Sequence, residues 1–525
     1  MAHFNLPKST FVRLLAAALA ATFSGCADNA ETVNNVRKDT KDVRASLSVP
    51  RRWHNREGVP DSAPGHATGI MKIPQSAAKD RLTFETWWGR FNDPVLEQLI
   101  RTALQYSPDL RIALQRVEEV RARRNLSRAD GLPKLYANLG AQQGYRRNHK
   151  SYTTDDGLNR VGHTTTASDL YTAGLQASWE IDLFGKYRSA TAAATAEVFL
   201  TEENFRASQI SLVAEVAIAY VELRAAEARL GIAQRTVATR EQTLKLANLR
   251  KEAGTGDELE VRLTEVSLDT ARAAVPVLQT EVVQTRNRIA ILTGNTPGKY
   301  IDDLLARPES GKTGVEAVLA SIPQAPSDVD MATPAKILSV RPDVAAAERS
   351  FESAAFLTKS AKTAYYPTLN LSGGISIEAL KAGNLFSPDA TVGSILAGLS
   401  QPIFDGFRIQ QNIEIATIQQ KQALISYESV VLNALGEIED FLVDVKNSAD
   451  RLAVQKGAAF RAADSSRLES LRYQTGNADI LSVLDAQRTQ LGYEEQAVIA
   501  AANQTVAQIN LFKSLGGAWA PKASD

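Results

Sequence analysis

The sequence predicts an α+β fold with an internal duplication, each half holding a pair of amphipathic strands and one helix too long for a globular domain. Three observations carry this. Short motifs recur about 234 residues apart early in each half: Ser107-Pro108-Asp109 returns as Arg341-Pro342-Asp343, and Pro133 as Pro367. Later the spacing is about 222, with Leu249-Arg250 returning as Leu471-Arg472 and Gly254 as Gly476. Such a repeat governs every local motif inside it. After Pro133 and Pro367 the hydrophobic period changes from helical to alternating. Finally, Lys186 to Lys251 and Arg408 to Gln474 contain no proline, and each corresponds to about 100 Å of helix.

Composition agrees and narrows the function. Aromatic residues make up 6%, and alanine-rich helical sequence dominates, which suits long helices better than a thick core. Lys+Arg and Asp+Glu are both 59, so nothing points to nucleic acid or to an acidic partner.

Residues 1–25 read as a secretory signal: Lys8 and Arg13, then the apolar run Leu14 to Ala21, then small residues. The single cysteine, Cys26, follows Phe23-Ser24-Gly25. This resembles a lipoprotein signal, with Phe23 where that pattern prefers leucine, and implies acylation of Cys26. A lone cysteine cannot form an internal disulfide. No other stretch is apolar for about 18 residues, so membrane contact is expected through the lipid and through strands.

Residues 26–86 are expected to be a lipid-anchored segment, with 27–80 read as an extended, weakly structured leader. Order begins at Trp87-Trp88. Asp93-Pro94 opens a helix with aspartate as N-cap and proline in the first turn, and its stripe is Leu96, Leu99, Ile100, Ala103 and Leu104. A second helix runs from about Asp109 to Ala129, and its counterpart from Pro342 to about Ala364. Strands follow. Leu135, Ala137, Leu139 and Ala141 alternate with polar or small neighbours, as do Tyr171, Ala173, Leu175, Ala177, Trp179 and Ile181. Leu369 to Ile377 and Ile395 to Ile403 repeat the pattern. Asn148 to Ser168 and Glu378 to Ala390 are expected to be polar loops. The alternation is the weak, dyad-patterned signature of a membrane β-barrel with a wet lumen; an ordinary half-buried hairpin is the alternative, disfavoured by the lipoprotein signal.

In the second long helix, Ile413, Ala416, Ala423, Tyr427, Val430, Ala434 and Phe441 form one stripe, and Leu424, Val431, Leu435 and Leu442 another. Two seams call for a neighbour on each side, as in a closed ring. The rods end at Gly254-Thr255-Gly256 and Gly476-Asn477, where glycine supplies positive φ. Returning helices run to about Leu292 and Leu515. Four strands cannot close a barrel, since even eight leave the interior filled. Three copies supply twelve strands, so a homotrimer is expected.

The chain resembles the TolC-like outer-membrane efflux proteins, in particular the NodT-type lipoprotein branch. The carrying motifs are Trp87-Trp88 with Phe91-Asn92-Asp93-Pro94, Ser107-Pro108-Asp109-Leu110, and Trp179-Glu180-Ile181-Asp182-Leu183-Phe184-Gly185. The second half adds Arg341 to Arg349, Gln401-Pro402-Ile403-Phe404-Asp405-Gly406, and Leu484-Asp485-Ala486-Gln487-Arg488. Phe407 stands where the family usually has a second glycine. The resemblance implies a trimeric channel-tunnel with a 12-strand membrane barrel and a long periplasmic α-helical barrel. It implies a passive export duct for small molecules in a tripartite pump, partnered by a periplasmic adaptor and an inner-membrane transporter. The organisation expected is 1–25 signal, 26–86 anchored segment, 87–294 first repeat, 295–335 linker, 336–517 second repeat and 518–525 tail.

The resemblance also implies site residues. Leu481 and Asp485, one helical turn apart, match the periplasmic gate ring, and Ser482 stands where some members have another aspartate. Tyr473 and Glu260 match positions that latch neighbouring helix pairs, while Ala478 occupies the family's arginine position. The turns at Gly254, Gly256, Gly476 and Asn477 are the expected adaptor-docking ends. A local pairing of Asp485 on the helix surface is the plain alternative to a pore-facing role. There is no HExxH, GxSxG or CxxC, and Gly294 to Tyr300 lacks phosphate-loop spacing. His149 and His163 are read as solvated loop histidines. No enzyme activity, metal or cofactor beyond the lipid is expected. A non-conducting structural envelope lipoprotein is the alternative function, disfavoured by the amphipathic strand pairs.

Overall fold

The computed structural model describes residues 29–47, 49–50, 53, 87–305, 316, 319–324, 333–384, 387 and 390–517. Cys26, the signal segment, His54, His66 and the tail lie outside the described residues. The elements are α1 (29–46), α2 (Pro94–Tyr106), α3 (Pro108–Asp130), β1 (Lys134–Thr153), β2 (Asn159–Ile181), α4 (Lys186–Glu252), α5 (Glu258–Leu292) and α6 (Lys299–Leu305). They continue as α7 (Pro334–Val340), α8 (Pro342–Lys362), β3 (Thr368–Ala379), β4 (Thr391–Ser400), α9 (Arg408–Gln474) and α10 (Ile480–Ser514). Two compact units emerge, and neither coincides with a repeat. One comprises Met1–Lys41, Glu119–Phe199 and Glu348–Ile425; the other comprises Asp42–Glu118, Leu200–Ala347 and Ser426–Asp525.

The first unit is built on a four-stranded antiparallel sheet in the order β1-β2-β3-β4. The pairing of β2 with β3, from Tyr171↔Ala379 to Ile181↔Leu369, joins strands of the two halves. Registered partners share a face, so Leu135, Leu139, Leu175, Ile375, Ile395 and Leu399 all lie on one side. Among the described residues that side is uncovered, with Leu139 84% and Ile395 85% exposed. Tyr136, Asn138, Gln176, Ser178, Ser372 and Ser394 occupy the other face.

The strands outrun the sequence reading. The expected loop from Asn148 to Ser168 is instead the upper half of a hairpin, paired without interruption to Thr153↔Asn159. Alternation reports one buried face, and a hairpin with two wet faces has none. Its cohesion comes from β-branched and aromatic residues and from cross-strand pairs such as Gln143 Nε2 donating to Asp169 at 3.0 Å. The turn closes through the amide of Gly157 to Thr154 O at 2.8 Å, with Gly157 at φ +77°. Likewise β3 extends to Ala379, so the second polar loop is shorter than expected.

The anchored segment also departs from expectation, because 29–46 is helical. Val33, Val36, Thr40, Val43 and Leu47 recur at intervals of three and four, a stripe easily missed amid so many polar neighbours. In the first unit Val36 is buried with Phe351 and Ala355. In the second unit Val43 and Leu47 pack on Leu338, Val344 and Tyr427, and Arg44 donates to the Tyr427 hydroxyl.

Each strand pair passes into a long helix through an aspartate that accepts a helix-start amide: Asp182 from Arg188 at 2.9 Å, Asp405 from Ile409 at 2.8 Å. At the second corner Gly406 and Phe407 both have φ +67°. A side chain in this region costs about 1–2 kcal/mol, which accounts for a second glycine being usual there.

The second unit holds the main core. Asp93 caps α2, accepting from Val95 at 3.0 Å and Leu96 at 3.3 Å, and also takes the Tyr220 hydroxyl at 2.8 Å. Trp87 stacks on Phe512 with ring centres 5.2 Å apart. Buried Arg341 donates to Asp343 at 2.7 Å, to Glu437 at 2.6 Å and to the Ser514 carbonyl. Thus the Arg-Pro-Asp motif ties the start of α8 to α9 and α10. Both seams read from α9 are used, with Tyr427 and Ala434 from one and Val431 and Leu442 from the other buried.

Candidate functional site at the turn end of the long helices

The two helical hairpins end alike because the sequence repeats. Gly254 at φ +71° and Gly476 at φ +77° stop α4 and α9. Their amides bond to Lys251 O and Tyr473 O, both at 3.0 Å. The amide of Asn477 reaches Arg472 O at 2.8 Å, and those of Thr255 and Gly256 reach Arg250 O at 2.9 and 3.1 Å. Each returning helix then opens on an aspartate N-cap: Asp257 accepts from Glu260 at 2.8 Å, and Asp479 from Ser482 at 3.0 Å. At Gly256 a Cβ would lie 2.7 Å from Glu260 Oε2, so the turn is closely fitted around that carboxylate.

Tyr473, in the last turn of α9, is buried with Ile480 and Val483 and packs against Leu246, Ala478 and Leu484. Its hydroxyl donates to Glu260 in the first turn of α5. The structure therefore joins these two residues from different hairpins of one chain. Burial, reinforced by the Glu260 carboxylate, pushes the Tyr473 phenol well above its ordinary range, against the opposing pull of Arg250. The phenol stays a donor throughout the physiological range.

Arg250 completes the arrangement, and sequence reasoning missed it. Its guanidinium lies 4.5 Å from the Tyr473 ring centre and donates to Tyr473 O at 3.1 Å and Thr255 O at 3.4 Å. The only signal was the repeat, which pairs Arg250 with Arg472. Arg472 stays local, donating to Glu469 at 2.8 Å and to Asn477 O at 3.3 Å. Equivalent positions thus do different work, a distinction that needs the partner hairpin in view.

Leu481 and Asp485 are not part of the Tyr473 cluster. Leu481 is 56% exposed. Asp485 is exposed and pairs with Arg488 three residues on, which is the local pairing weighed above.

The model of the outer membrane efflux protein family matches residues 99–295 and 333–517. The chain belongs to that family. A toluene efflux pump outer membrane protein of Pseudomonas putida, TtgF, is 30% identical over 436 residues, 82% of this chain and 85% of that one. A probable outer membrane lipoprotein of Salmonella typhimurium, SilC, is 28% identical over 475 residues, 88% of this chain and 96% of that one. Among solved structures, the outer-membrane channel OprN matches at TM-score 0.73 and 28% identity, over 88% of this chain and 100% of that one. The protein is an outer-membrane efflux channel with a large periplasmic part.

Proposed function

We propose that three copies of this chain form a passive duct that carries small molecules outward from an inner-membrane transporter, to which a periplasmic adaptor protein connects it. The observation that carries this reading is the sheet. Among the described residues its two outer strands, β1 and β4, each leave one edge without a partner strand, and one apolar face is exposed. Open edges and an exposed apolar sheet face call for partners. Closing β4 of one copy on β1 of the next satisfies the edges, and lipid covers the face.

In this reading Cys26 carries acyl chains that hold the mature N-terminus at the outer membrane; the lipoprotein name of the Salmonella relative supports it. The turns at Gly254, Gly256, Gly476 and Asn477 receive the adaptor. Leu481 and Asp485 form an apolar and a charged ring, and Tyr473 with Glu260 latches the tip shut. A charge-assisted bond of about 1.5–3 kcal/mol is small enough for docking to break. The Pseudomonas relative is named for toluene efflux, and the duct itself holds no cargo pocket in this reading, with selection made at the transporter.

Native mass spectrometry in mild detergent and planar-bilayer recording test the proposal together. Trimers that conduct, with lipid mass on Cys26, are expected. A stable folded monomer, or a trimer that never conducts even with the latch removed, contradicts it and favours the structural-lipoprotein alternative.

A further inference from the structure

The β1–β2 hairpin carries a side-chain pair that the duct reading does not use. His149 and His163 are directly opposite each other in the register. Both are exposed, their ring centres are 4.5 Å apart, and the ring planes meet at 68°. Their Nδ1 atoms are 2.6 Å apart. The two nitrogens therefore face each other across one short gap, with both imidazoles able to turn an Nδ1 toward a common ligand.

We propose that His149 and His163 form a binding site for a divalent transition-metal ion, Cu2+ before Ni2+ or Zn2+, that clasps the two strands. Imidazole nitrogen suits these ions, and affinity among them peaks at copper. Metal–nitrogen bonds of about 2.0 Å at right angles need the two nitrogens about 2.8 Å apart. The observed 2.6 Å pair reaches that separation by opening about 0.2 Å, a small adjustment for exposed side chains. A tetrahedral ion needs about 3.3 Å, a larger opening.

The surroundings choose among ions as well. The alternation places Arg147 and Thr165 on one side of the pair and Ser151 and Val161 on the other. No carboxylate occupies these four positions. Calcium and magnesium, which need negatively charged oxygen ligands, find no carboxylate at these positions. Arg147 adds a repulsive charge that weakens any cation held by electrostatics alone, so binding depends on the two coordinate bonds, with water completing the ion's shell. Because the pair lies close to the 154–158 turn, the bound ion closes a short loop and stiffens the hairpin end.

The test titrates the intact lipoprotein in detergent with CuCl2 in a non-coordinating buffer, read by electron paramagnetic resonance and by amide hydrogen exchange. One copper per chain with two imidazole nitrogens is expected, together with slower exchange across β1 and β2 near the turn. His149→Ala and His163→Ala each remove the second nitrogen and weaken binding about a hundredfold, the loss expected when a two-point attachment becomes one-point. His149→Asn repeats the test with a polar strand residue, and an unchanged thermal melt confirms each variant is folded. The proposal is overturned by a wild type that takes up no copper. It is equally overturned by a two-nitrogen signal that survives in both alanine variants, as happens if the copper sits on His54 and His66.

Discussion

Replacing Tyr473 by phenylalanine isolates the latch from the packing around it. The ring keeps its place among Leu246, Ile480 and Val483 and its contact with Arg250, and only the donor to Glu260 is lost. Glu260 is half-buried, so water can partly replace the lost donor, and the cost falls near the low end of the charge-assisted range, about 1.5 kcal/mol. That shifts the closed-to-open ratio roughly tenfold per chain, and about a thousandfold for a trimer whose three latches open together. Single-channel recording should show a large rise in open time or mean conductance. Glu260→Ala should do the same, and the double variant should add little, because the two side chains share one interaction. Wild-type conductance in all three variants would falsify the latch. Fully additive effects would show instead that the two residues act separately.

Three other outcomes are expected. Asp485→Ala should change stability by less than about 0.5 kcal/mol, since it removes one exposed pair with Arg488, yet weaken cation preference and divalent block; an unchanged reversal potential places the charged ring elsewhere. Gly254→Val forces a β-branched residue to φ +71° and should abolish export while trimers still reach the outer membrane, so normal export removes this turn as the docking surface. In alkaline titration read by ultraviolet absorbance, wild type should have one more late-ionising tyrosine than Tyr473→Phe. The raised phenol pKa stabilises the latched tip fully below the ordinary tyrosine value of about 10, and that contribution declines as pH rises beyond it. Identical titration curves for the two proteins contradict the burial and bonding seen at Tyr473.

Much of this protein was legible in its sequence, for reasons that can be named. Long proline-free, alanine-rich stretches without strand alternation read as helix, and α4 and α9 begin and end where glycine and aspartate punctuate them. The repeat announced paired corners, paired turns and paired caps, because identical local chemistry folds identically. Tertiary structure alone decided three things. The hairpin β1–β2 continues far past the apolar band, since a sheet with two wet faces leaves no period to read. The 29–46 segment is a helix, because its thin stripe of Val36, Val43 and Leu47 gains stability only from Phe351, Leu338 and Tyr427, hundreds of residues away in the chain. And Arg250 differs from Arg472 although the repeat makes them equivalents. A pairwise contact belongs to two elements at once, and only folding determines which neighbour an arginine meets.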